Sequence, residues 1–111
     1  MTKYGTVTFT GKSGSKYEFT IYSFDTDFKD NVSCVYFVTK RSQSSNGNHS
    51  HTRIYVGETS DLSERFSNHH KQKCFKKNNA NCICIYLEKS EKTRLEIEQD
   101  LIDNYNPPCN D

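Results

Sequence analysis

Apolar and polar residues alternate over Thr6–Thr10 and again over Tyr17–Tyr22, the period of a half-buried strand. Between them GKSGS carries Gly11 and Gly14, which tolerate positive φ, so the segment predicts a β-hairpin. The stretch SFDTDFKDN, 23–31, is polar and acidic and reads as a loop. CVYFV, 34–38, is a continuous run of β-formers, as in a buried strand, and RIYVG, 53–57, is another. The polar stretch 41–52 joins them, so they form a natural antiparallel pair. From Asp61 the period changes, with Leu62 and Phe66 four apart. Thr59, Ser60 and Asp61 can each cap a helix, and Asp61 with Glu64 has capping-box spacing. The pattern predicts a helix over 61–73, a loop over 74–81, a core strand CICIYL over 82–87 and a second helix over 91–105. Ser90 caps the second helix, and Pro107-Pro108 stops it. The order β-hairpin, β, β, α, β, α predicts an α+β domain with helices covering a sheet.

The helical faces add chemistry to this outline. In the second helix Leu95, Leu101, Ile102 and Tyr105 define an apolar arc, and Glu96, Asp100 and Asp103 lie on the opposite, solvated face. Glu98 falls inside the arc, where a carboxylate is costly unless paired, protonated or bound to a metal. A Glu that bends out to the boundary, a common arrangement, is the plainer reading of the pattern alone. In the first helix Arg65 and His69, four apart, stack beside the Leu62/Phe66 stripe, and His70 points away. An Arg65–Glu98 ion pair tying the helices together is the plain alternative. In the strands, Tyr36 projects opposite to Val35 and Phe37, and Tyr55 opposite to Ile54 and Val56. If the strands pair in register, both phenols reach one face.

Composition narrows the class. The chain has 111 residues, which fits one domain, and a net charge of +1. Mean hydropathy is −0.90, yet aromatics reach 13%, so the chain folds rather than staying disordered. No apolar run approaches the ~20 residues of a membrane span, and the N-terminus has no apolar leader segment. The five cysteines, Cys34, Cys74, Cys82, Cys84 and Cys109, read as free thiols in a reducing, intracellular compartment. A zinc site using Cys74, Cys82, Cys84 and the His69-His70 pair is the sharper alternative, but the spacing departs from the common knuckles. The run from Arg65 through Lys71, Lys73, Lys76 and Lys77 contains no acid and suits a phosphate backbone. The segment 41–52 offers Arg41, Asn46, Asn48 and His49 to a groove.

Three stretches resemble the GIY-YIG nuclease family: VYF at 35–37, YVGETSDLSERFSNHH at 55–70 and RLEIEQDLIDNYNPPCN at 94–110. The resemblance covers roughly residues 33–111. It implies a catalytic core with a small three-stranded antiparallel central sheet flanked by helices, to which residues 1–32 add an N-terminal hairpin. Cys34 stands where the first motif has glycine, and Val35 and Val56 stand where the motifs have Ile.

The resemblance also implies a divalent-metal-dependent DNA endonuclease with Tyr36, Tyr55, Arg65, His69, Glu98 and Asn110 as its site. Glu98 holds Mg²⁺ or Mn²⁺, Arg65 grips phosphate oxygens, Tyr36 is the general base, Tyr55 and His69 position water or relay a proton, and Asn110 orients the site. A phenol near pKa ~10 needs help to act as a base at neutral pH, and the metal, Arg65 and His69 are expected to lower it. Arg65, Lys71, Lys73, Lys76 and Lys77 are the expected contacts to duplex or branched DNA. Sequence specificity is then modest, or comes from a homodimer or a larger partner. A non-cleaving nucleic-acid-binding or adaptor module on the same fold is the competing reading.

Overall fold

A computed structural model describes residues 3–45, 47–67 and 69–110. The strands are β1 (Lys3–Thr10), β2 (Lys16–Ser23), β3 (Cys34–Gln43), β4 (His49–Thr59) and β5 (Cys82–Leu87). The helices are α1 (Leu62–Ser67), α2 (Gln72–Lys77) and α3 (Glu91–Tyr105), and Pro108–Asn110 forms a 3₁₀ turn. The α+β class and the hairpin are as the pattern predicts.

The sheet differs from the expected one. It is a single antiparallel sheet of five strands in the order β1-β2-β5-β3-β4. The N-terminal hairpin is not an appendage to a three-stranded core. β2 pairs with β5 from Thr20↔Ile85 to Ser23↔Cys82, giving β5 a partner on both sides. Its turn is pinned to α3, because Asp100 accepts from the Ser13 N–H at 2.9 Å, the Ser13 hydroxyl at 2.7 Å and the Tyr17 hydroxyl at 2.8 Å. Gly11 lies where a Cβ would run into that carboxylate. Asp100 therefore docks the hairpin instead of standing on a solvated face.

Apolar residues pack on both faces of the sheet. On one, Phe9, Phe19, Val35, Phe37 and Val56 meet Ile97 and Leu101 of α3. On the other, Tyr36, Val38, Ile54 and Ile83 meet Leu62 of α1 and Phe75 of α2. α3 begins at the expected cap, with Ser90 Oγ accepting from the Thr93 N–H, and ends at Asn106 in the left-handed region, just before the prolines. Its buried arc is Arg94, Ile97 and Leu101, with Ile102 and Tyr105 packed alongside. Leu95, expected inside that arc, is 47% exposed. A register shift between Val38 and Thr39 puts Ile54 on the same side as Tyr55, not opposite to it.

Two further expectations change. The helix predicted over 61–73 is broken: α1 stops at Ser67, His69 and His70 lie outside it, and α2 starts at Gln72 and runs on through 74–77, expected as loop. The cause is tertiary, since His69 is turned inward and buried. Cys74 on α2 and Cys109 in the 3₁₀ turn form a disulfide across a separation of 35 residues. This corrects the reading of five free thiols and removes that argument for a reducing compartment. It also takes Cys74 from the zinc reading. Cys34, Cys82 and Cys84 are buried thiols, and burial pushes Cys34 and Cys84 up to about 12. Among the described residues no group of three or more His, Cys, Asp or Glu side chains is arranged to hold a metal.

Closing a loop of this length restricts the unfolded chain. C74S/C109S should lose about 3–4 kcal/mol of stability in urea titrations run without reductant. Equal midpoints for the parent and the double variant would mean that the bond does not form in solution.

Candidate active site

Tyr36 lies on β3, which is paired on both sides, opposite Gly57 of β4 and Ile85 of β5. It is fully buried. Its Oη lies 2.7 Å from His69 Nε2, while His69 Nδ1 accepts the Lys71 backbone N–H at 3.0 Å. A ring nitrogen that accepts a hydrogen bond carries no proton, so the neutral imidazole is protonated on Nε2 and donates to Tyr36. Burial, then the neighbouring charges of His70, Arg65 and Lys71, lower the His69 pKa to about 4. The ring is therefore neutral at ordinary pH, in agreement with that tautomer.

Tyr55 stands on the same face, its ring 6.0 Å from that of Tyr36 and 5.3 Å from that of His69. The two phenols do share a face, as register pairing requires. Gly57 makes their approach feasible: a Cβ there would sit 2.5 Å from Tyr36 Oη and 2.9 Å from the Tyr55 ring. Burial raises both phenols above their ordinary value, and Arg65 opposes it in each. The two phenols also act on each other, so they titrate as a pair. The expectation that the surroundings lower Tyr36 is thus reversed by desolvation in the protein alone.

Arg65, in the last turn of α1, is half-buried and lines an open polar cleft of about 450 Å³ with Thr59, Ser60, Asp61, Glu64 and Ser67. Its charge acts on Tyr36, Tyr55, His69 and Glu98 alike. Because the helix is broken, Arg65 and His69 reach this centre from separate segments rather than as an i, i+4 pair.

Glu98 is half-buried on α3, neither exposed nor in an ion pair with Arg65 at contact distance. Burial and the Glu58 charge raise its pKa, while Arg65 and the Glu58 backbone N–H lower it. Arg94, one turn before it, is 3% exposed and holds Glu58 with Nε 2.9 Å from Oε1. Its Nη1 donates to the carbonyls of Glu88 and Lys89 at 3.2 and 2.8 Å. This buried pair locks α3 to β4, and the sequence reading missed it. The available signal was that Arg94 shares a helical stripe with Ile97 and Leu101.

Asn110 is a clamp on the outer edge of β4. Its Oδ1 accepts the Val56 N–H at 2.9 Å and its Nδ2 donates to the Val56 carbonyl at 2.8 Å. It thereby holds the residue between Tyr55 and Gly57, and the Cys109 disulfide anchors the clamp to α2. On α2, Lys73, Lys76 and Lys77 are exposed, and Lys71 is half-exposed just before it. The structure thus brings together Tyr36, Tyr55, Arg65 and His69, with Glu98 within their electrostatic reach, and puts Asn110 and the lysines beside them.

This arrangement defines a class: a small α+β domain with a phenol–imidazole pair on one sheet face and a carboxylate at the sheet edge. Residues 32–110 match the model of the GIY-YIG catalytic domain, and the chain belongs to that family of nuclease domains. The β1–β2 hairpin lies outside the matched stretch. No curated protein and no solved structure matches the chain.

Two outcomes follow from this geometry. Gly57→Ala should cost about 1–3 kcal/mol by forcing the Tyr36 and Tyr55 rings apart. Urea midpoints and the near-ultraviolet tyrosine signal would show it, and an unshifted signal would contradict the close packing. His69 is depressed from about 6.5 to about 4, so the unfolded chain takes up a proton that the native chain refuses. Stability should be whole above pH 6.5 and fall as pH drops toward 4. His51 is also lowered, chiefly by burial, so His69→Gln should reduce this slope without abolishing it. Urea midpoints of both proteins between pH 7 and 5 would decide the point.

Proposed function

We propose that this domain is a divalent-metal-dependent endonuclease that hydrolyses phosphodiester bonds in DNA. The supporting observation is the Tyr36–His69 hydrogen bond, buried beside Tyr55 and within the field of Arg65, with Glu98 acting on Tyr55. In the reaction a water oxygen bonds to phosphorus, the bond from phosphorus to the leaving 3′-oxygen breaks, and the water proton passes to a base. Tyr36, as phenolate, is that base. The His69 Nε2–H donates to the phenolate oxygen and favours it without the imidazole itself ionising. Tyr55 orients the water. The planar donor fork of Arg65 engages the non-bridging phosphate oxygens. Asn110 holds Val56, and with it the strand that carries Tyr55.

Glu98 fits a hydrated hard cation. It is a single oxygen donor whose charge is opposed by burial and by Glu58, and Arg94 already occupies Glu58. Mg²⁺, which keeps most of its waters, suits one carboxylate, and Mn²⁺ accepts the same donor. When bound, the cation neutralises charge on the phosphate and on the leaving oxygen. Lys71, Lys73, Lys76 and Lys77 follow the phosphate backbone.

The test is plasmid nicking with and without Mg²⁺. The parent should nick only with metal, and Glu98→Ala should stop nicking while duplex binding persists. Tyr36→Phe should fold normally and lose about 10²–10⁴-fold in rate. Burial holds both phenols above their ordinary value, so the rate should climb with pH and reach no plateau below about pH 9. A mild Tyr36→Phe with a severe His69→Ala would move the base to His69. Duplex binding without any nicking would favour the non-cleaving module.

A further inference from the structure

β3 and β4 outrun the rest of the sheet. β5 pairs with β3 only from Cys34 to Thr39, whereas β3 continues to pair with β4 from Lys40↔Thr52 to Gln43↔His49. The stretch 41–52, expected as an exposed connection, therefore forms, with Lys40, a two-stranded ribbon beyond the sheet. Asn46 lies outside the described residues.

The base of this ribbon is held firmly. Asn81 grips the Arg41 backbone, accepting its N–H at 2.7 Å and donating to its carbonyl at 3.1 Å. His51 Nδ1 lies 2.8 Å from Thr39 Oγ1. The Arg41 guanidinium lies over the Tyr4 ring at 4.5 Å, and that of Arg53 over the Tyr105 ring at 4.4 Å.

Its charge is one-sided. From Asn31 to Gly57 the sequence contains no Asp or Glu. Among the described residues none of Lys40, Arg41 and Arg53 takes part in a salt bridge. Arg41 Nε and His51 Nε2 are buried without a hydrogen-bond partner. By strand alternation Lys40 and Ser42, with Thr52 and Ser50 opposite them, continue the face that carries Tyr36 and Tyr55.

We propose that this ribbon is an arm that enters the major groove of duplex DNA and fixes the helix across the tyrosine face. The inference rests on the nuclease reading above and narrows its substrate to B-form duplex. Two strands ~4.8 Å apart fit a groove ~12 Å wide. Paired positions Lys40–Gln43 at ~3.3 Å each exceed the groove depth of ~8.5 Å. Ser42, Gln43, Ser50 and Thr52 bring hydroxyls and an amide that hydrogen-bond base edges, and Lys40, Arg41 and Arg53 face the flanking phosphates. An A-form RNA duplex has a deep, narrow major groove that closes this route.

The test measures metal-free binding, so it reads the arm whether or not the parent cleaves. In a shortened variant Asn-Gly replaces residues 42–50, joining the paired Arg41 and His51 through a two-residue turn. Lys40→Gln is a second, milder variant. Three probes of one length are compared: plain duplex DNA, duplex DNA whose major groove is filled by glucosylated hydroxymethylcytosine, and duplex RNA. The parent should prefer plain DNA over the other two by about tenfold or more, and the shortened variant should lose that preference. Lys40→Gln should lower the log–log salt slope by about 0.9. Equal binding of the parent to plain and filled DNA, or to DNA and RNA, overturns the proposal. So does an unchanged preference in a shortened variant whose urea midpoint matches the parent. Failure to nick with intact groove preference would instead refute the nuclease reading and leave the arm standing.

Discussion

The hydrogen bond between Tyr36 Oη and His69 Nε2 joins two buried residues 33 apart, and much of the site is arranged around it. A buried phenol or imidazole without a partner costs free energy, so each ring requires the other. Bringing His69 inward ends α1 at Ser67 and restarts the chain as α2. The Lys71 N–H satisfies the second ring nitrogen and sets the tautomer. Gly57 must then lack a side chain, because Tyr36 occupies the volume a Cβ would take. One polar contact thereby accounts for the broken helix, the glycine and the direction of proton donation.

The edge of β4 is the second organising feature. An edge strand leaves backbone donors and acceptors open, and here they are used. Asn110 takes both polar groups of Val56, and the Glu98 carboxylate faces the Glu58 N–H. Arg94 fixes α3 on that edge through Glu58, and the Cys74–Cys109 bond ties the terminal clamp back to α2. The carboxylate and the phenols belong to elements on opposite faces of the sheet, and the edge is where they come within electrostatic range.

The N-terminal hairpin lies outside the matched family domain yet completes the same sheet. Its pairing with β5 and its Asp100 staple protect a strand that would otherwise be an open edge. At the far side of the sheet β3 and β4 do the reverse and project beyond their neighbours as a ribbon. One side of the sheet is thus extended by added pairing, and on the other two strands run on past their neighbours.

The order of the strands, the hairpin turn, the Ser90 cap and proline stop of α3, and the shared face of Tyr36 and Tyr55 were readable from local pattern. They depend on period, turn chemistry and capping, which act over a few residues. Glu98 was legible as an anomaly because a carboxylate sits where the helical period calls for an apolar side chain. What local pattern could not supply were features that depend on distant partners. The first helix follows its capping signal from Asp61 but breaks for a tyrosine two strands away. Leu95 fits the arc by periodicity but is displaced by Arg94, whose carboxylate partner lies on β4. Cys74 and Cys109 look like unpaired thiols until the fold brings their Cα atoms to 5.9 Å. The hairpin looks detachable until β5 offers it an edge. Local periodicity determines which elements form. Long-range pairing of buried polar groups and strand edges decides where those elements stop and which side chains meet.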